Sequence, residues 1–177
     1  FCYWLENKTY DLGSIRGGSS YKFGIYEYNI KPNNPSILTE DEKYAWYKKY
    51  DANTRDEAFG IVLASIVRIA NAARVGNLEE IDKEDYAISG VYKWKIAFLY
   101  SNLRVIPIYR KDILEDVAGK LGLERPESKS IPMLQSFLME QKGERDLFEF
   151  YDYLLELNNH ANKTSYASWT NPQVSSD

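Results

Sequence analysis

Cysteine and histidine are almost missing from this chain. Cys2 and His160 stand alone among 177 residues. No internal disulfide can close, no multi-cysteine zinc cluster can form, and no second imidazole exists for a HExxH pair or a facial metal triad. Metal chemistry would have to rest on carboxylates. A chain without a disulfide framework is expected in the cytoplasm. No run approaches the roughly 18 apolar residues that cross a bilayer, and the start lacks the basic-then-apolar pattern of a signal peptide, so no membrane partner is expected. Initiator Met is missing too. Phe1-Cys2-Tyr3-Trp4-Leu5 already reads as strand, which points to a piece from inside a longer chain. There is no GxSxG, no Cys–His spacing and no PD-(D/E)xK string. A stand-alone enzyme is not expected, and neither a metal site nor a cofactor is assigned.

Aromatic rings are what the chain has in excess. Fifteen Tyr, seven Phe and four Trp make up 15% of it, and such rings suit either a generous core or a surface that stacks on flat ligands. The net charge of −4 hides a pattern: residues 1–36 carry +1, 37–90 carry −4, 91–125 carry +3 and 126–177 carry −4. If the first and third segments pack together, an acidic domain presents one basic face to a polyanion. The plainer alternative is a solvated surface throughout.

Segment 1–30 reads as β structure, with Tyr21, Phe23 and Ile25 alternating against Lys22, Gly24 and Tyr26. Lys31 to Pro35 is a loop by composition. Thr39-Glu40-Asp41-Glu42 has capping-box spacing and predicts a helix to about Lys49. Thr54-Arg55-Asp56-Glu57 is a second box, followed by Phe59, Val62, Ile66, Ile69 and Ala73 at helical spacing. With Ile61, Leu63 and Val67 also apolar, this is expected to be a central core helix stopped at Gly76-Asn77. Residues 78–90 read as a short helix or loop. Residues 92–109 read as a β-hairpin with Pro107 at an edge. Helices are expected over 112–121, 131–142 and 145–158, and a polar linker from about 161 to 177.

Gly13-Ser14-Ile15-Arg16-Gly17-Gly18-Ser19-Ser20 has the two glycines of a phosphate loop but Ser19 where the lysine belongs, which excludes NTP hydrolysis here. Its amides, with Arg16 and Lys22, could still receive a nucleic-acid phosphate. It could equally be a plain β–β connection. Lys93-Trp94-Lys95 on a strand would put both lysines on one face, although Trp94 also suits a core and the lysines also suit an edge strand. Arg104 lies near the end of the proposed hairpin, where loops commonly carry function. The acidic run Asp82, Glu84 and Asp85 reads as a solvated face.

Two stretches resemble a known family. Tyr3-Trp4-Leu5-Glu6, Leu12-Gly13-Ser14-Ile15, Gly17-Gly18-Ser19 and Lys22-Phe23-Gly24-Ile25-Tyr26 form the first, and Trp94-Lys95-Ile96-Ala97-Phe98-Leu99-Tyr100 the second. Together they look like the N-terminal region of McrB-like AAA+ proteins, the motor subunits of modification-dependent restriction systems. The resemblance implies a non-catalytic DNA-specificity domain over 1–160, part of a longer N-terminal region, with 161–177 leading toward an AAA+ motor. It implies as partners DNA carrying a modified base, the AAA+ ring and a separate nuclease subunit. The positions it singles out for DNA are Gly17, Gly18, Ser19, Lys22, Trp94 and Lys95; the residue reading adds Arg16, Lys93 and Arg104, with Trp4, Trp46, Trp94 and Tyr100 as rings on which a base could stack.

The expected fold is a single α+β domain: a mostly antiparallel sheet, built from the N-terminal segment and the 92–109 hairpin, packed on the 54–75 helix and flanked by the C-terminal helices. The function from a different class is a protein-interaction module that assembles the motor complex, which an exposed apolar patch would favour.

Overall fold

The computed structural model describes residues 1–15, 20–32 and 35–162. It is a single α+β domain, with a three-stranded antiparallel sheet at one end of a mostly helical body. Strands β1 (Ile25–Glu27), β2 (Leu38–Glu40) and β3 (Tyr44–Tyr47) lie in the order β1-β3-β2, with Ile25 opposite Trp46 and Leu38 opposite Tyr47.

The expected 39–49 helix is therefore a hairpin, and Asp41 is the reason. Its carboxylate accepts from the backbone N–H groups of Lys43 (2.8 Å) and Tyr44 (2.7 Å), closing a turn that competes with a helical first turn. The same two donors hold the Asp41 carboxyl below its ordinary range. Beyond the turn, Ala45 and Trp46 are buried, and the Trp46 Nε1–H donates to the Ala52 carbonyl at 3.0 Å.

Helix α1 (Arg55–Val75) forms where its signals place it. The Thr54 hydroxyl accepts from Glu57 N–H at 3.2 Å, and the Glu57 carboxylate accepts from Thr54 N–H at 3.3 Å, so the box is complete. The helix ends at Gly76, whose φ of 81° is a left-handed conformation in which a side chain is strained. Its inner face, with Ala58, Val62, Ile69, Ala72 and Ala73, packs into the body of the domain.

Two further expectations need correction. Residues 4–8 are a π-helical turn, not a strand, and part of the 21–26 strand is a 3-10 turn, Ser20–Phe23, that precedes β1. The 92–109 hairpin does not exist either: residues Gly90–Tyr100 are helix α3, which packs along α1. Alternation misled here because Tyr92 and Trp94 to Phe98 are all buried, and a helix buried on every side has no polar face to reveal its period. Val105, Ile106, Ile108 and Tyr109 follow as irregular buried chain. Gln135 does the work of a ladder partner: its Oε1 accepts from Ile106 N–H at 2.7 Å, and its Nε2 donates to the carbonyls of Ile106 (3.2 Å) and Ile108 (3.4 Å).

The acidic linker holds a short helix, α2 (Leu78–Lys83). Helices α4 (Lys111–Lys120), α5 (Ile131–Lys142) and α6 (Leu147–Asn162) stand close to their expected positions and close the core through Leu114, Leu134, Leu138, Phe150 and Leu154.

Candidate functional site

Lys95, at the centre of the basic face expected from segments 1–36 and 91–125, is turned inward. Lys95 is completely buried, because α3 is a helix and two residues along a helix turn a side chain about 200° from its neighbour. Its ammonium donates to the carbonyls of Thr9 (2.7 Å), Leu12 (2.9 Å) and Gly13 (2.5 Å) and lies 5.2 Å from the centre of the Tyr109 ring. The Tyr109 hydroxyl donates to the same Leu12 carbonyl. Gly13, with φ of 85°, is needed at this crossing, since a Cβ there would stand 2.5 Å from the Pro107 carbonyl oxygen. The two segments do meet, which was the condition set for a basic face, but they meet through one internal cation that ties the N-terminal turns to α3. Burial pushes the Lys95 ammonium down to about 8. A phosphate cannot reach it.

Lys22 is also committed. It is half-buried and pairs with Glu6 at 2.5 Å while donating to the Ile15 carbonyl at 3.2 Å. Lys93 is half-buried, 5.8 Å from the centre of the Tyr86 ring, and desolvation holds its pKa below the ordinary lysine value against the opposing pull of Asp82 and Asp85. Arg104 is exposed and donates to the Arg74 carbonyl at 3.4 Å. Arg16, Gly17, Gly18 and Ser19 lie outside the described residues. Of the stacking candidates, Trp46 and Trp94 are sealed in the interior, so neither can receive a base; Trp4 and Tyr100 are half-exposed. Lys31, Lys43, Lys49 and Arg68 have carboxylate partners at 2.6 to 3.2 Å, in Glu40, Glu27, Asp85 and Glu80. The acidic run is drawn into the same pairing, because Glu84 meets Arg68 at 3.3 Å.

Exposed apolar surface is where the molecule departs from an ordinary soluble surface. The outer face of α1 shows Phe59 (57% exposed), Leu63 (48%) and Val67 (50%), with Ile61 and Val75 beside them. Residues 59, 63 and 67 are successive turns of one helix, so they form a continuous ridge about 12 Å long. A shallow groove of about 680 Å³ runs beside it, bounded by Leu63, Ala64, Val67, Asn71 and Val75. By length and composition α1 could also cross a membrane. Its inner face, however, is core, and Arg68 sits midway along the exposed side with Glu80 and Glu84 as partners.

On the other flank of the ridge, the helix and the sheet enclose a second hollow of about 680 Å³. Phe1, Phe23, Tyr26, Tyr44 and Phe59 contribute rings to it, and Glu27 is its charged wall residue. Lys43 and Arg55 lie 5.7 and 5.5 Å from the centre of the Tyr44 ring. Phe59 and Leu63 belong to both ridge and hollow, so the two form one surface.

Sequence reasoning assigned Phe59, Ile61, Leu63 and Val67 to the core. The signal against that was present: a 21-residue helix apolar around most of its circumference needs partners on most of its circumference, and the other described elements cover one side. No family model, curated protein or solved structure matches this chain.

Proposed function

We propose that this chain is a protein-interaction and assembly domain that docks a partner polypeptide on the outer ridge of α1. The observation that carries this reading is the row Phe59, Leu63 and Val67, each about half exposed on a helix whose other face is core. Contiguous apolar side chains of this size stay exposed in water at a cost and mark contact surfaces. Internal use of Lys95 and pairing of Lys22 with Glu6 withdraw from a polyanion the two lysines on which the DNA reading leaned most, which favours a polypeptide over DNA. Covering the ridge yields on the order of 1 kcal/mol per half-buried side chain, against an association cost of about 4–15 kcal/mol. A single contact is therefore weak, and a repeated one in an oligomeric assembly is effective. The resemblance to McrB-like proteins makes an AAA+ ring and its nuclease subunit natural partners.

A second reading has its own observation. Five rings line the hollow beside β1 and β3, with Glu27 able to accept from an exocyclic amine and Lys43 and Arg55 close to the Tyr44 ring. That suits a specificity domain that receives a modified base of DNA, at a different place from the one the sequence pointed to.

The experiment is photo-crosslinking from position 67, with a photoreactive amino acid replacing Val67 in the protein expressed in its own cell. The expected product is a protein–protein adduct. Adducts confined to nucleic acid favour the second reading and overturn the first, and so does the lack of any adduct.

A further inference from the structure

We infer that the occupant of the α1 ridge is the α1 ridge of a second copy of this chain, packed antiparallel about a two-fold axis at the level of Ser65. The inference rests on the interaction reading above and names the partner.

Charge complementarity carries it. Asp56 in the first turn of α1 and Arg74 in the last are both exposed, and 18 residues, five helical turns, put them on the same side of the helix about 27 Å apart. Positions 56 and 74 are symmetric about 65, as are 63 and 67. An antiparallel pair centred there sets Asp56 of each copy against Arg74 of the other at both ends and lays Leu63 against Val67 between them. A two-fold axis requires this kind of self-complementarity of a single patch. Parallel pairing would instead oppose Asp56 to Asp56 and Arg74 to Arg74, and would align the two helix dipoles unfavourably. Arg74 has no carboxylate partner among the described residues, whereas Asp56 meets only the neighbouring Arg55 at 3.5 Å.

Backbone approach is open as well. A Cβ placed on Gly60 would meet nothing within 4 Å, and Gly60 and Ala64 flank the ridge, so a second helix can seat closely against Leu63 and Val67. The area offered is one helix face, below the roughly 800 Å² per partner of a standard interface. Dimers should therefore dissociate in the micromolar range, a further reason that a larger assembly would stabilise them.

The test is disulfide trapping and sedimentation on the purified chain with Cys2→Ser as background. The double variant Asp56→Cys with Arg74→Cys should oxidise to a covalent dimer, since the two sites are too far apart to join within one helix. Asp56→Cys alone and Arg74→Cys alone should remain monomeric. Without oxidant, sedimentation of the parent should show a reversible shift toward twice the monomer mass over roughly 10–500 μM, and Leu63→Glu should abolish it at least tenfold beyond that range. Single-cysteine dimers, or a parent that stays monomeric throughout, overturn the inference. A monomeric parent whose position-67 crosslinker still joins another protein in the cell sinks the homotypic pairing alone. A monomeric parent with no protein adduct sinks the interaction reading with it.

Discussion

Lys95→Met is expected to destabilise the domain by about 3 kcal/mol, because it strips three buried carbonyls of one charged donor. Met fills nearly the same volume, so the loss reports hydrogen bonding and not packing. The Leu12 carbonyl keeps the Tyr109 hydroxyl and the Thr9 carbonyl keeps the Leu12 N–H, so the Gly13 carbonyl is the one left to find water, and the N-terminal turns should loosen from α3 first. Urea denaturation reads the free energy, and limited proteolysis reads the loosening as faster cleavage near residues 9–13. A phosphate-contacting lysine on an open surface would give a change within about 0.5 kcal/mol, and that result would return Lys95 to the candidate DNA face.

The same ammonium makes stability depend on pH in a direction fixed by its environment. Burial lowers the folded-state pKa to about 8 from 10.5, so the unfolded chain binds this proton more tightly. Between those values the unfolded state holds more protons than the folded one, and stability rises with pH. Lys93 contributes with the same sign. Tyr92 and Tyr109, whose pKa values burial raises, act in the opposite sense only once unfolded tyrosines ionise near 10. Urea midpoints at pH 7.5 and 9.5 should therefore show a gain in the parent that is smaller in Lys95→Met. An equal gain in both would locate the titration elsewhere.

Trp94→Ala carries the largest expected penalty, about 3–5 kcal/mol, as for other large aromatic truncations in a close-packed core. Trp94 is 2% exposed on α3, among residues that pack on α1 and the C-terminal helices. Trp4→Ala, on a half-exposed ring, should cost less than about 1 kcal/mol. Equilibrium unfolding separates the two. A Trp94→Ala protein that unfolds like the parent would mean that the indole is not part of the core.

Local chemistry was legible in the sequence wherever it was self-contained. The Thr54–Glu57 box, the Gly76, Gly122 and Gly143 stops and the stripe Leu147, Phe150, Tyr151, Leu154 and Leu157 of α6 are each legible within a few residues. The Thr39–Glu42 box failed because Asp41 offers the backbone a competing turn within the same four residues. Helix α3 failed because burial all round erased its period, and with it went the idea that Lys93 and Lys95 share a face. Charge posed the meeting of the two basic segments only as a condition for a basic face; whether a lysine faces water or a ring of carbonyls depends on long-range packing, between residues 9–13 and 95, that no local pattern encodes. The α1 ridge was visible as excess apolar circumference. Only the fold tells which part of that circumference stays uncovered.

The most direct measurement of the central claim takes Leu63→Asp through unfolding and through crosslinking from position 67 together. If the ridge serves a partner and not the chain's own core, the substitution should leave the unfolding free energy within about 0.5 kcal/mol of the parent and abolish the protein adduct. A loss of several kcal/mol would mean that Leu63 is core after all, and an undiminished adduct in a stably folded variant would mean that the partner binds elsewhere.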